Sequence, residues 1–251
     1  MTALLDGVRV VDLTDGFGAL TARVLGDLGA EVVRVERPGG GVGVTRAPRT
    51  ADGIGLHHAY RNAGKTIVEV DEAGADGRAR VDALIGGARV VVVSSRGWGG
   101  GDGGFAPTAL SARHPHAVVT SLTPYGLTGP AAGWCATELV AQAMAGVVFR
   151  AGVPELPPVS APGSYCEDVG AVTAALATVL ALFQARGDGA GQLLDVSAVL
   201  ALAQCTDTAL PLWSLLQNDQ TRLGAGLYPL SRAATGWPAS SCPCRRASGG
   251  R

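Results

Sequence analysis

The feature that most constrains this chain is a series of short, almost wholly apolar, β-branched segments separated by helical stretches. Val8–Leu13 lies between Gly7 and Thr14-Asp15-Gly16, Glu31–Glu36 reads EVVRVE and ends at Arg37-Pro38 and a glycine run, and Val90–Ser94 is nearly pure valine. Thr66–Val70 and Ala117–Leu122 have the same character. Strands without polar alternation must be covered on both faces, which favours parallel pairing with helical crossovers. Ala19–Leu28 has helical spacing and stops at Gly29, Ala75–Ile85 reads as a second helix and Ala106–Arg113 as a short third. The expectation is an α/β, Rossmann-like fold: a mainly parallel sheet with helices on both faces, its ligands beyond the carboxyl ends of the strands.

After Pro130 the pattern becomes helical, with Glu138–Ala145, Asp168–Arg186 and Val196–Leu216 as long helices and the Gly/Pro-rich Gly152–Gly163 as a connection. Residues 1–197 therefore predict the N-terminal part of one large domain, and residues 198–221 a helix leading out of it. Residues 222–251 predict a low-complexity tail of Gly, Ala, Ser, Pro and Arg, which buries too little apolar surface to offset its ordering entropy.

An apolar fraction of 47% against 16% charged residues describes a globular chain rather than a disordered one. A net charge of -1 supplies no global field toward nucleic acid or anionic membrane, so a phosphate-bearing ligand needs a local basic site. MTALLDGVRVVDL lacks a basic region followed by a long apolar run, and the apolar stretches around Val172–Phe183 and Val196–Leu216 are interrupted by Gln, Asp, Thr and Ser. No signal peptide and no membrane span of about 20 residues is expected. The five cysteines are scattered and odd in number, and His57, His58, His114 and His116 show no metal-ligand spacing. These features predict free thiols, a cytoplasmic location and no metal.

Asp168 precedes an Ala-rich helix, where aspartate ordinarily caps exposed amides. A helix N-terminus also favours negative charge, so a carboxylate there can serve as a nucleophile; spacing does not separate the two roles. Arg37 beside Pro38-Gly39-Gly40-Gly41 is either a solvated loop residue or a phosphate contact offering charge and backbone N–H groups together. DGFGAL after the first strand lacks G-x-G-x-x-G spacing, which disfavours a dinucleotide dehydrogenase, and no G-x-S-x-G elbow is present. Lys65 reads as the end of a loop before a strand.

Four segments taken together resemble the family III CoA-transferases (the CaiB/BaiF family), which include formyl-CoA transferase, carnitine CoA-transferase and α-methylacyl-CoA racemase. They are LLDGVRVVDLTDGFGALTARVLGDLGAEVVRVERPGGG, RNAGKTIVEVD, VVTSLTPYGLTGPAAGWCATELVAQAMAG and EDVGAVTAALATVLALFQARGDGAGQLLDVS. They occur in the family's order from about Leu4 to Ser197. The resemblance implies that Asp168 is the catalytic aspartate, forming a mixed anhydride with the donor acyl group and then an aspartyl-CoA thioester that passes CoA to an acceptor carboxylic acid. It places Arg37 near the adenosine phosphates of CoA and Val70 and Asp71 at a nucleotide-contacting strand end. Ser94, Ser95 and Arg96 fall in a loop contributing backbone contacts, and Glu138 at the acidic residue before the Q-A-M-x-G helix. No permanently bound cofactor is implied; coenzyme A and acyl-CoA are substrates.

Gly16-Phe17-Gly18-Ala19 replaces the family's A-G-P, a departure on the adenine side. Thr137 stands where racemases carry a histidine base, which makes 2-methylacyl-CoA racemase the weaker reading, since two-sided proton transfer needs two bases. The family also implies an intertwined homodimer and a longer chain, and here the pattern fades near Gln217. YPLSRAATGWPASSCPCRRASGG resembles a wrong-frame translation, so the expectation is truncation by a frameshift or an incomplete gene. Two non-enzymatic readings stand beside the transferase: a truncated CoA- or partner-binding module, and a plain α/β binding domain in which Asp168 is only a cap.

Overall fold

The fold is described by a computed structural model, for residues 3–41, 43–71, 74–94, 105–152, 156–205, 214–215, 230–232 and 238–240. The described elements run β1 (Arg9–Leu13), α1 (Ala19–Asp27), β2 (Glu31–Glu36), α2 (Leu56–Asn62), β3 (Thr66–Glu69), α3 (Ala75–Gly86), β4 (Val90–Ser94) and α4 (Pro107–Arg113). Then follow β5 (Val118–Thr123), α5 (Glu138–Met144), α6 (Val147–Arg150), α7 (Tyr165–Asp188), β6 (Leu193–Ser197) and α8 (Ala198–Cys205). Strands β1 to β6 form one sheet in the order β3-β2-β1-β4-β5-β6, and every pairing in it is parallel. The strand order reverses between β1 and β4, so a crevice opens there at the carboxyl ends.

The valine runs place this sheet. Val11, Leu13, Val91, Val93 and Val119 point to one face, against Val81 and Ile85 of α3 and Leu110 of α4. Val10, Val32, Val90, Val92 and Val118 point to the other, against Ala22 and Leu25 of α1 and Ala175, Ala181 and Leu182 of α7. Full burial of one such side chain contributes about 1.5–3 kcal/mol relative to exposure, which favours strands that fill both faces. Helix α1 ends at Gly29 as expected. Its φ is +105, and a Cβ on it would collide with Ala3 Cβ, so no side chain fits there.

A third apolar cluster joins α5, α7 and α8 through Leu122, Ala141, Ala171, Val199 and Leu202. Gly170 allows it to close, since a Cβ there would lie 2.8 Å from Ala198 Cβ and 3.1 Å from Leu122 Cδ1. Gly170→Val is expected to lose about 1–3 kcal/mol of stability by overpacking. Urea unfolding reads this directly, and a midpoint equal to that of the wild type would contradict so close a contact.

Several expectations are corrected here. The helix expected over Val196–Leu216 does not start at Val196. Val196 and Ser197 complete strand β6, α8 runs from Ala198 to Cys205, and residues 206–213 lie outside the described residues. An edge strand running without a break into an apolar helix leaves no punctuation in the sequence. The helix expected to open at Asp168 begins at Tyr165, and Cys166 in its first turn already packs into the third cluster with Val169 and Ala171. Helices α2 and α6 carry no periodicity long enough to read. By length and composition α7 could cross a membrane, but one of its sides packs on the sheet, on α1 and on α8. Its other side exposes Val172, Leu176, Leu180 and Phe183. Within residues 222–251, β7 (Leu230–Arg232) and β8 (Pro238–Ser240) pair antiparallel, and the remainder of that segment lies outside the described residues.

Candidate active site

The crevice is organised from the turn after β1. The Asp15 amide donates to Ser94 Oγ at the end of β4 (3.2 Å), and the Gly18 amide, at φ +86, donates to Glu167 Oε1 on α7 (2.9 Å). The second bond fastens the start of α1 to the first turn of α7. On that turn Asp168 is not a cap: its amide donates to the Ser164 carbonyl (2.8 Å), and Ser164 occupies the cap position without a side-chain cap bond. The Cys166 amide is instead satisfied by Glu138 Oε1 on α5, which also accepts from Gln142 Nε2 (2.9 Å). Burial, then the Glu138 charge, pushes the Cys166 thiol up to about 12, which makes it an inert packing group at neutral pH.

Asp168 Oδ1 and Glu167 Oε1 accept from the two terminal nitrogens of Arg61 on α2. The Arg61 side chain is 3% exposed and that of Asp168 is 46% exposed, so a buried cation supports a carboxylate that reaches the surface. His57 Nε2 lies 3.3 Å from Ser164 Oγ at the same mouth. Burial lowers the proton affinity of His57, Arg61 adds to this, and Asp168 opposes it.

The other expected residues gather around the ends of β2, β1 and β4. Arg37 follows β2 and lines a cleft with Thr14, Asp15, Glu36 and Gly41. Gly39 and Gly40 both adopt positive φ, and the Gly40 amide closes a turn onto the Arg37 carbonyl (2.9 Å). Val70 is buried and its amide donates to the Glu36 carbonyl (2.8 Å), Asp71 beside it is exposed, and Ser94 is buried under the β1 turn. Ser95 and Arg96 lie outside the described residues. The expected nucleotide residues Arg37, Val70, Asp71 and Ser94 thus sit at adjoining strand ends. Asp168 and Glu138 form a second group at the N-terminus of α7, joined to the first through the β1–α1 turn.

Sequence reasoning missed Arg61 and a buried charge network beneath the cleft. Lys65, read as a loop end, has a buried side chain that donates to Asp12 Oδ2 (2.7 Å), the Ala19 carbonyl (2.7 Å) and Asn62 Oδ1 (2.8 Å). Arg34 donates to Asp12 Oδ2 (3.1 Å) and Glu36 Oε1 (2.6 Å), all three being buried, and Asp12 Oδ1 accepts from the amide and hydroxyl of Thr14. Burial alone would raise the Asp12 carboxyl, but Lys65 and Arg34 outweigh it and bring it down to about 2. The available signal was a pair of opposite charges set among the valines of two strands: Asp12 and Arg34 are register partners in β1 and β2.

The Y-G-L-T-G-P loop and the D-V-S segment meet in space. Asp195 accepts from the Leu127 amide (2.9 Å), and Ser197 Oγ donates to the Pro124 carbonyl (3.1 Å). Gly126 holds the bend at φ +90.

Comparison with known proteins gives a consistent result. The sequence pattern described as CoA-transferase family III matches residues 5–240. Among curated relatives, the succinyl-CoA:(R)-benzylsuccinate CoA-transferase subunit BbsE of Thauera aromatica is 36% identical over 87% of this chain and 54% of its own length. The succinate–glutarate CoA-transferase of Agrobacterium fabrum is 33% identical over 78% of this chain and 53% of its own length. The chain therefore spans about half the length of these relatives. A CAIB/BAIF family protein from Brucella suis shares the fold with a TM-score of 0.85 over 94% of this chain and 65% of its own, at 23% identity. The Mycobacterium tuberculosis protein Rv3272 superposes with a TM-score of 0.74 at 28% identity, over 84% of this chain and 59% of its own.

Proposed function

This chain belongs to CoA-transferase family III, and we propose that it acts as an acyl-CoA:carboxylic acid CoA-transferase in which Asp168 carries first the acyl group and then CoA. The observation that carries the reading is the Asp168 carboxylate itself. One oxygen is held by a buried arginine, while nearly half of the side chain is exposed. Asp168 attacks the donor thioester carbonyl, the C–S bond breaks, and CoA leaves as thiolate with an aspartyl anhydride behind it. The thiolate returns to the aspartyl carbonyl, releases the donor acid as carboxylate and leaves an aspartyl-CoA thioester. The acceptor carboxylate repeats the sequence in reverse, ending as its CoA thioester with Asp168 free. Retention of CoA makes each return effectively intramolecular.

The cleft lined by Arg37, Thr14, Asp15 and Gly41 supports placement of the CoA nucleotide there, because a guanidinium and a glycine turn can approach phosphates together. Val70, Asp71 and Ser94 border this placement, and Glu138 supports the site through the first turn of α7. The racemase reading is weakened further, since the Thr137 hydroxyl accepts from the Val140 amide and caps α5.

Intact-mass measurement after incubation with succinyl-CoA tests the proposal. An adduct that maps to the peptide containing Asp168 supports it, CoA retained without an adduct supports a binding module, and neither outcome leaves the plain α/β domain.

A homodimer is the proposed assembly, supported by Val172, Leu176, Leu180 and Phe183, which form one exposed apolar stripe on α7. Light scattering coupled to size exclusion should give twice the chain mass, and Leu176→Asp should shift it toward monomer. A monomeric wild type would count against the assembly.

A further inference from the structure

The transferase reading leaves open how one site accepts a neutral thioester carbonyl at one stage and a carboxylate at another, when its own nucleophile is an anion. Arg61 supplies an answer. Its Nη1 is held by Glu167, which is buried and also fixed by the Gly18 amide. Its Nη2 is held by Asp168, the half-exposed partner. The three side chains carry one positive and two negative charges while Asp168 is free. Attack on a thioester moves the negative charge of Asp168 onto the departing thiolate. The cluster is then balanced, and the Nη2 edge has lost its anionic acceptor. Buried guanidinium groups require such acceptors, and carboxylates fit them closely.

We propose that Arg61 is the carboxylate receiver of the transfer: its Nη2 edge pairs with Asp168 in the free enzyme and with the carboxylate of the leaving or incoming acid while Asp168 is esterified. This rests on the acyl-enzyme reading and assigns the acid-binding group of the same site. It also orders the reaction. A free acid meets a site with an excess negative charge before acylation and a balanced cluster with a vacated Nη2 edge afterwards, so the acceptor binds only once the donor has reacted. Glu167 is then a positioning residue that keeps Arg61 in place when Asp168 lets go.

Asp168→Asn provides the test, because its neutral amide stands in for the esterified side chain without any acyl-CoA. Succinate binding measured by calorimetry is expected to be at least about 10-fold tighter for this variant than for the wild type. The gain should disappear in Asp168→Asn/Arg61→Gln and return in part in Asp168→Asn/Arg61→Lys. Equal succinate affinity of wild type and Asp168→Asn overturns the proposal, and so does a gain that survives Arg61→Gln. The first comparison stands even if the double variants do not fold. A succinate gain without any acyl adduct on the wild type would sink the acyl-enzyme reading alone, whereas an adduct without the gain would sink the role of Arg61 alone.

Discussion

Asp168→Asn is expected to abolish the covalent adduct with acyl-CoA and to lower CoA transfer by on the order of 10⁴-fold or more, the usual scale for loss of a nucleophile. The substitution keeps the size of the side chain and an oxygen that can still accept from Arg61, so the fold should survive. The amide cannot displace a thiolate, and neither neighbouring carboxylate is placed to replace it. Glu167 is turned inward between Arg61 and the Gly18 amide, and Glu138 is engaged by the Cys166 amide and Gln142. Exchange of labelled succinate into succinyl-CoA, together with the intact mass of the protein, measures both effects. Transfer at the wild-type rate in the variant would remove Asp168 from the chemistry.

Lys65→Met is expected to cost about 3–5 kcal/mol of stability, the range for removing one partner of a buried ion pair. Methionine keeps much of the stem volume, so the loss is electrostatic rather than a cavity. Three bonds go at once, including the one to the Ala19 carbonyl that ties the start of β3 to the first turn of α1. The pH dependence carries the sign. Asp12 is depressed from 3.8 to about 2 in the folded chain, so its contribution is present above about pH 4 and is lost as pH falls toward 2. Without Lys65 the burial of Asp12 is less opposed, its carboxyl rises, and acid unfolding should begin at a higher pH than in the wild type. Urea unfolding at neutral pH and an acid titration followed by circular dichroism read the two effects. An unchanged acid limb would show that Arg34 alone holds the Asp12 charge.

The parts legible in the sequence are those fixed by local pattern. Valine runs gave β1, β2 and β4 within a residue or two, because a strand buried on both faces tolerates little else. Strand β6 was illegible because LLDVS continues into an apolar helix, and only its pairing with β5 distinguishes it. The expectation that Asp168 is the catalytic aspartate rests on resemblance; its position one turn inside α7 depends on Ser164 and Glu138 satisfying the helix start. The burial of Arg61 and Lys65 escapes a sequence reading for a common reason, although Lys65 does end the loop before β3. Each is flanked by polar or small residues suited to a surface, and each is buried by carboxylates contributed from distant segments. Long-range charge pairing leaves no periodicity to read.

The sheet order has a consequence for how the chain is made. Strand β1 lies in the middle of the sheet, yet Val10 pairs with Val32 on one side and with Val90 on the other. During synthesis β2 emerges soon after β1, but β4 leaves the ribosome only much later. Until then the nascent N-terminal segment displays an open, β-branched edge that invites pairing with other chains. Residues from β1 to β4 therefore form the stretch on which a chaperone would act, and slowed translation across the β2–β4 interval should cost soluble yield more than a pause placed after β5.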